Sequence, residues 1–246
     1  LHALPTAYDY IRLGHPLSCV LEWALATLNQ LNPVNVISFT SQTIPVLAIL
    51  RTNLLNDKNT QIVYTEKLPA AFDAETLKRV YGYKFELNQV EDGKTIPKFD
   101  GSTLLISPQK ELWKVEHSPN IDFYLQTSAT LGSVLIVNGE QNEQYISDIQ
   151  HLRRRETIAM TPANCLKALS ALVGAVAEET NSTLKTNKAQ VLESITAITH
   201  SPTKPLVGSS GLSVQYAIMM GLIYDAQENH PEKAIKFIVP PNCYGG

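Results

Sequence analysis

Short runs rich in branched and aromatic residues alternate with longer stretches of helical periodicity along most of this chain. That alternation limits its fold more than any other feature. Strands are predicted at 36–39, 61–65, 83–87, 103–107, 122–127 and 134–138. Ahead of them, residues 1–16, with Pro5 and Pro16, read as an extended arm. From Leu17 the apolar Leu21, Ala24, Leu25, Leu28 and Leu31 share one helical face until Asn32-Pro33 stops the helix. Further helices are predicted at 43–55, where Pro45 suits a first turn, and from an Asp73 N-cap to Tyr81, with Gly82 as the stop. A helix from Gln144 sets Tyr145, Ile149 and Leu152 on one face, and two more follow at about 163–179 and 187–198. Strand and helix in alternation point to an α/β fold with a mainly parallel sheet.

Composition removes several function classes. A formal net charge of -3 over 246 residues, with no long basic run, argues against a nucleic-acid partner. Arg153-Arg154-Arg155 reads as a set of cations at a helix C-terminus, and Glu22, Asp122 and Asp225 as solvated or capping groups. Cys19, Cys165 and Cys243 are odd in number and far apart, so neither a disulfide framework nor a metal site is expected. That cysteine usage suits a reducing, cytoplasmic setting. No apolar stretch approaches the length of a membrane span. Because the chain begins at Leu1 rather than Met, it is expected to be trimmed at both ends.

The last forty residues carry the clearest hint of chemistry. Val207-Gly208-Ser209-Ser210-Gly211-Leu212 opens an apolar helix, a strand is predicted at 235–239, and Pro240 through Cys243-Tyr244-Gly245-Gly246 follows. A small-residue loop opening a helix can hold a phosphate, because glycine permits close approach and free helix N–H groups point at the anion. An aromatic just past the next strand is placed to stack on a flat cofactor. The same order of elements stands earlier, where Thr40-Ser41-Gln42-Thr43 precedes a helix, a strand and Pro69-Ala70-Ala71. The chain therefore divides into an α/β unit over 1–158, a helical segment and linker over 159–205, and the start of a second unit over 206–246.

Tyr10-Ile11-Arg12-Leu13-Gly14-His15-Pro16, followed by Leu21-Glu22, resembles the Tyr-x-Arg-x-x-Asn-Pro segment of the Cys/Met-metabolism pyridoxal-phosphate enzymes, the cystathionine γ-synthase-like family. Ser209-Ser210-Gly211-Leu212 resembles that family's Ser-Ser-Gly-Met phosphate loop, and Tyr244-Gly245-Gly246 its Tyr-Gly-Gly-Thr. The likeness lies over 1–31 and 207–246. It implies an aminotransferase-like, fold type I three-layer architecture, here incomplete at the C-terminus, and pyridoxal 5'-phosphate as cofactor. The cofactor-binding residues implied are Tyr10, Arg12, Ser210, Gly211, Leu212 and Tyr244: Tyr10 and Arg12 reach the phosphate across a dimer interface, the Gly211 and Leu212 N–H groups cradle it, and Tyr244 stacks on the ring. Two residues of the arm depart from the pattern, His15 in place of Asn and Leu17 in place of Thr.

The family's Schiff-base lysine falls at Leu131, in Thr127-Ser128-Ala129-Thr130-Leu131-Gly132, and no Asp-Asn-Thr-like segment precedes it. Leucine cannot form an aldimine. By this resemblance the first unit is a degenerate copy with no catalytic residue, and the aldimine lysine is expected beyond Gly246. The full protein is then expected to be a lyase or transferase of sulfur amino-acid (trans-sulfuration) metabolism, a homo-oligomer or fused pseudo-dimer taking a small amino-acid substrate. The rival reading is a non-catalytic dimerisation or regulatory module.

Overall fold

The computed structural model describes residue 12 and residues 14–92, 96–108, 113–175 and 184–241. Six strands form a single sheet: β1 (Val36–Phe39), β2 (Thr60–Tyr64), β3 (Phe85–Gln89), β4 (Ser102–Pro108), β5 (Phe123–Ser128) and β6 (Gly132–Val137). Their spatial order is β1-β6-β5-β4-β2-β3. β5, β4, β2 and β3 run parallel, while β6 lies antiparallel to both β1 and β5. The reversal at β6 has a local cause. Residues 129–131 between β5 and β6 are enough for a hairpin but not for the crossover that a parallel strand needs.

Period-two patterning sorts the strand side chains into two cores. Ile37, Ile62, Leu104, Phe123, Leu125 and Leu135 face one way; Val36, Val63, Leu105, Tyr124, Val134 and Ile136 face the other. The first face is covered by α2 (Ile44–Leu55) and α4 (Gln144–Glu156), through Ile49, Leu50, Tyr145, Ile149 and Leu152. The second is covered by α1 (Pro16–Leu28) and α5 (Pro162–Leu172), through Leu21, Leu25, Cys165 and Ala168. The short α3 (Ala74–Arg79) adds Leu77 to the first core, and Asp73 caps it by accepting from the Glu75 and Thr76 N–H groups. Three layers result, in the expected α/β class.

Two further helices, α6 (Leu184–Thr199) and α7 (Gly211–Asn229), follow. No residue of α7 is buried. It leans on α4 and is held mainly by Tyr216, whose ring lies 4.1 Å under the Arg51 guanidinium. The strand expected at 235–239 does not form, and Ile238 is 98% exposed. A strand needs a neighbour for its backbone groups, and none of the six strands accepts this segment.

The structure also corrects the reading of the charged residues. Glu22 and Arg153 are buried, neither a solvated group nor a simple helix-end cation. Glu22 Oε1 accepts from Arg153 Nη1 (2.7 Å), Ser38 N (2.9 Å) and Ser38 Oγ (2.7 Å). Arg153 also donates to Ser38 O at 3.2 Å. One carboxylate thus ties α1, β1 and α4 together. Glu156, likewise buried, takes a two-pronged contact from Arg51 of α2, at 2.6 and 3.3 Å. Asp122 accepts from Thr103 N of β4 and from Asn142 Nδ2, so it ties a strand to a turn instead of capping a helix.

Removing one member of a buried ion pair leaves the other charge uncompensated, at a cost of about 3–5 kcal/mol. Glu22→Ala is expected to lower the free energy of unfolding in urea by that amount. A Glu22→Leu/Arg153→Met double variant is expected to recover most of the loss, because neither charge then remains buried.

Candidate functional site

β1, β2, β4 and β5 point the same way, so the loops leaving their carboxyl ends gather on one edge of the sheet. Open α/β sheets bind ligands at that edge. Three of these loops, 40–43 after β1, 69–71 after β2 and 128–132 joining β5 to β6, close around a cavity of about 420 Å³, with Asn164 of α5 at its side. The earlier loop echo and the expected lysine position therefore meet in one place. Leu131, Pro69 and Gln42 all line it.

The cavity is braced by its own polar groups. Ser41 Oγ accepts from the Thr43 and Ile44 N–H groups, and Pro45 has none to offer. The first turn of α2 thus keeps little N–H capacity for an anion. Gln42 Nε2 donates to Ser128 O, and Asn164 Nδ2 donates to Leu131 O at 3.0 Å. Ser133 Oγ donates to Ser41 O at 2.7 Å. Gly132 is the tight point: its φ is +115°, and a Cβ there would stand 2.2 Å from Phe39 O. No residue lining the cavity is titratable.

The second loop is arranged differently. Ser210 is the N-cap of α7, its Oγ accepting from Ser213 N and donating to Arg155 O. Ser209 Oγ donates to Glu156 O. Both hydroxyls therefore serve the C-terminus of α4. Gly211 and Leu212 open α7 as expected, but a Cβ on Gly211 would meet nothing within 4 Å, so no cradle surrounds it. Arg12 lies in an exposed turn and lines neither this loop's groove nor the cavity. Tyr10, Tyr244 and Cys243 lie outside the described residues. His15, near the end of the arm, is structural: its Nδ1 accepts from Ser18 N as the N-cap of α1, which leaves Nε2–H to donate to Met160 O at 2.8 Å.

The fit to pyridoxal phosphate follows from these donors. The first cavity has no amine for an aldimine, no carboxylate for the pyridine nitrogen and a helix end whose N–H groups are already used. The second loop has an N-cap and two open N–H groups but no enclosing wall among the described residues. Neither, as it stands, seats the cofactor. Asn164 and Ser133 were not singled out in the sequence, because their partners lie 33 and 92 residues away.

No protein-family model matches the chain, and no curated protein does. Among solved structures, cystathionine gamma synthase from Xanthomonas oryzae pv. oryzae is 15% identical, with a TM-score of 0.42 over 78% of this chain and 57% of that one. MetB from Corynebacterium glutamicum is 14% identical, with a TM-score of 0.37 over 61% and 49%. Bna3p from Saccharomyces cerevisiae is 14% identical, with a TM-score of 0.41 over 78% and 62%. The chain thus spans less than two thirds of each of these structures. At such likeness nothing about activity transfers. Among the described residues there is no cluster of metal-ligating side chains, and no helix is long and apolar enough to cross a membrane.

Next to Asn164, Cys165 is buried and gives its S–H to Met160 O. Its thiol is pushed up to about 12, first by desolvation and then by the Glu22 charge. An unfolded thiol ionises near 9.0. Above that pH the unfolded chain holds fewer protons than the folded one, so stability falls with rising pH until the folded thiol ionises. Urea unfolding is expected to show a decline between pH 9 and 11 that Cys165→Ala makes shallower. Gly132→Ala is expected to destabilise the chain by more than about 2 kcal/mol, from the left-handed φ and the Phe39 O contact together; the same titrations read it.

Proposed function

We propose that the α/β unit formed by the sheet and α1 to α5 is the non-catalytic half of a pyridoxal-phosphate-dependent lyase or transferase acting on a sulfur-containing amino acid in the cytoplasm. The observation that carries this reading is the cavity at the carboxyl edge of the sheet. It brings together the 40–43 loop, Pro69 and Leu131, the positions that the resemblance assigns to a phosphate loop, a ring-stacking group and a Schiff-base lysine, and it is lined by hydroxyls, amides and apolar groups. A site so placed and so furnished suits a scaffold whose chemistry has been lost. When bound elsewhere in such an enzyme, the cofactor supplies an electron sink for carbanions; the residues here do no more than hold shape.

The working centre on this reading belongs to the second unit, beginning with Ser210, Gly211 and Leu212 and continuing to Tyr244, with its lysine outside residues 1–246. Tyr10 and Arg12 would complete that centre across a dimer or fused pseudo-dimer interface. The apolar surface of α7 and of 235–239 is consistent with further packing. The second reading, a dimerisation or regulatory module with no cofactor anywhere, has the same empty-handed cavity in its favour.

Incubating the chain with pyridoxal phosphate, reducing with borohydride and mapping the peptides distinguishes these ideas. Residues 1–246 are expected to carry no stoichiometric pyridoxyl-lysine. The full-length gene product is expected to carry one, on a lysine outside this range. A stoichiometric adduct on any lysine of 1–246 would overturn the assignment of this unit as non-catalytic, and an unlabelled full-length product would favour the regulatory module.

A further inference from the structure

α7 repeats α2, and the repeat shows what its open face is built to meet. The loop echo sets Thr40-Ser41-Gln42-Thr43 against Ser209-Ser210-Gly211-Leu212. The caps of the two helices give the same register. Ser41 Oγ accepts from Ile44 N, and Ser210 Oγ accepts from the counterpart Ser213 N, each at 3.1 Å. Position by position, α2 (Ile44–Leu55) then matches residues 213–224.

The two helices share one line and differ on another. Leu47, Arg51 and Leu54 of α2 are half-buried, and so are their counterparts Tyr216, Met220 and Ile223. The helices meet at these equivalent lines, where the Arg51 guanidinium lies 4.1 Å from the centre of the Tyr216 ring. On the remaining faces the burial is opposite. Val46, Ala48, Ile49, Thr52 and Asn53 are all buried. Val46 and Ile49 lie in the core beneath the sheet, Asn53 donates to Thr60 of β2, and Ala48 and Thr52 line the boundary with α4. Their counterparts Gln215, Ala217, Ile218, Gly221 and Leu222 are all exposed, Ile218 by 58% and Leu222 by 64%. The face that α2 lays on a sheet is the face that α7 leaves open.

The occupant follows from charge, from the next segment and from what a second copy can offer. Residues 211–224 carry no charged side chain, so covering this face strands no charge. An uncharged helix face matches the apolar sheet face that α2 covers. β2 follows α2, and in the same order the branched segment 235–239 follows α7 without a neighbour among the six strands. That segment needs a sheet, and α7 is the helix placed to cover it. Both faces of the described sheet are already covered, so a second copy of this chain offers no open sheet face. A partner helix packed along the 215, 218, 222 and 225 stripe would cover Asp225 as well. The α2 register leaves Asp225 outside, since its counterpart Asn56 is exposed. The open face also continues an interface already made, the contact of Tyr216 with Arg51, Tyr81 and Tyr83.

We propose that the α7 face formed by Gln215, Ala217, Ile218, Gly221 and Leu222 docks on the apolar face of a second β-sheet, which 235–239 enters as a strand. α2 and α7 then stand back to back, each covering its own sheet. This rests on the reading of a second unit, but not on the cofactor assigned to it.

The test places Ile218→Cys, Leu222→Cys and Asp225→Cys singly in residues 1–246 and in the full-length gene product. Maleimide labelling rates are read by peptide mapping, which separates these positions from the native cysteines. In 1–246 all three positions are expected to label freely. In the full-length product, labelling at 218 and 222 is expected to slow about tenfold or more, because it then needs local opening, while 225 stays as fast. Hydrogen exchange on the unsubstituted proteins serves where a variant does not fold: amides of 235–239 are expected to be protected in the full-length product alone. The proposal is overturned if 218 and 222 label as fast in the full-length product as in 1–246, or if 235–239 exchanges equally fast in both. Slowing at 225 together with 218 and 222, or slowing in 1–246 that grows with its concentration, assigns the face to a partner helix and overturns it as well. Borohydride mapping keeps the two readings apart. A full-length product with a pyridoxyl-lysine and freely labelled cysteines ends this inference and spares the assignment of function; protected cysteines without a pyridoxyl-lysine do the reverse.

Discussion

One buried carboxylate holds the three layers in register. Glu22 sits on α1 beneath one face of the sheet, Ser38 is in β1, and Arg153 comes from α4 on the other side. Three donors converge on a single oxygen, so the two helices and the strand between them cannot shift independently without stranding a charge. The pair is specific because of its surroundings. Burying such a pair is costly, and Ser38 offsets part of that cost by giving Glu22 two further donors, its backbone N–H and its hydroxyl. The second pair, Arg51 with Glu156, extends the hold to α2 and places a guanidinium under Tyr216, the main anchor of α7.

The two edges of the sheet follow different rules. At the amino ends of β2 and β4, Thr60 and Ser102 enter a closed polar network in which Tyr145 donates to Asn53 Oδ1 at 2.6 Å and Asn53 donates to Thr60 Oγ1 at 2.8 Å. Those groups are spent on stability. At the carboxyl ends, loops part and leave two cavities of similar size but opposite chemistry. One is braced by Gln42, Ser41 and Asn164, and none of its lining residues is an amine, a carboxylate, an imidazole or a thiol. The other has charged residues of both signs among its lining, Glu91, Asp92, Lys114 and Glu116, beside Tyr124 and Gln126. The cavity that contains the loop echo and Leu131 has no titratable lining residue, and the charged crevice stands where no motif pointed.

Most of the secondary structure was legible because it is written locally. Asp73 as a cap, Pro45 in a first turn, Asn32-Pro33 as a stop and the alternation within 36–39 or 122–127 all act over a few residues, and the structure forms elements there within a few residues of the expected ends. The segment at 235–239 has the same branched residues and forms no strand, since strand propensity is a preference for a pleated, half-buried surface that must be supplied by a neighbour. Glu22 and Arg153 were misread for a related reason. Sequence shows a charge, whereas burial and pairing across 131 residues are properties of the packed chain. The loop echo at 40–43 and the leucine at 131 were visible in the sequence, but that they share one cavity was not.

By itself, the sequence determined the α/β class, the order of strands and helices and the absence of a lysine at position 131, because periodicity, caps and residue identity are local properties. Tertiary structure alone decided that β1 pairs with β6 at the sheet's edge, that Glu22 is a buried clamp, and that Ser209 and Ser210 spend their hydroxyls on the end of α4. It also decided which loops meet. A cavity is made by residues far apart in the chain, and its chemistry depends on which polar groups remain unpaired after folding, which only the completed set of contacts fixes.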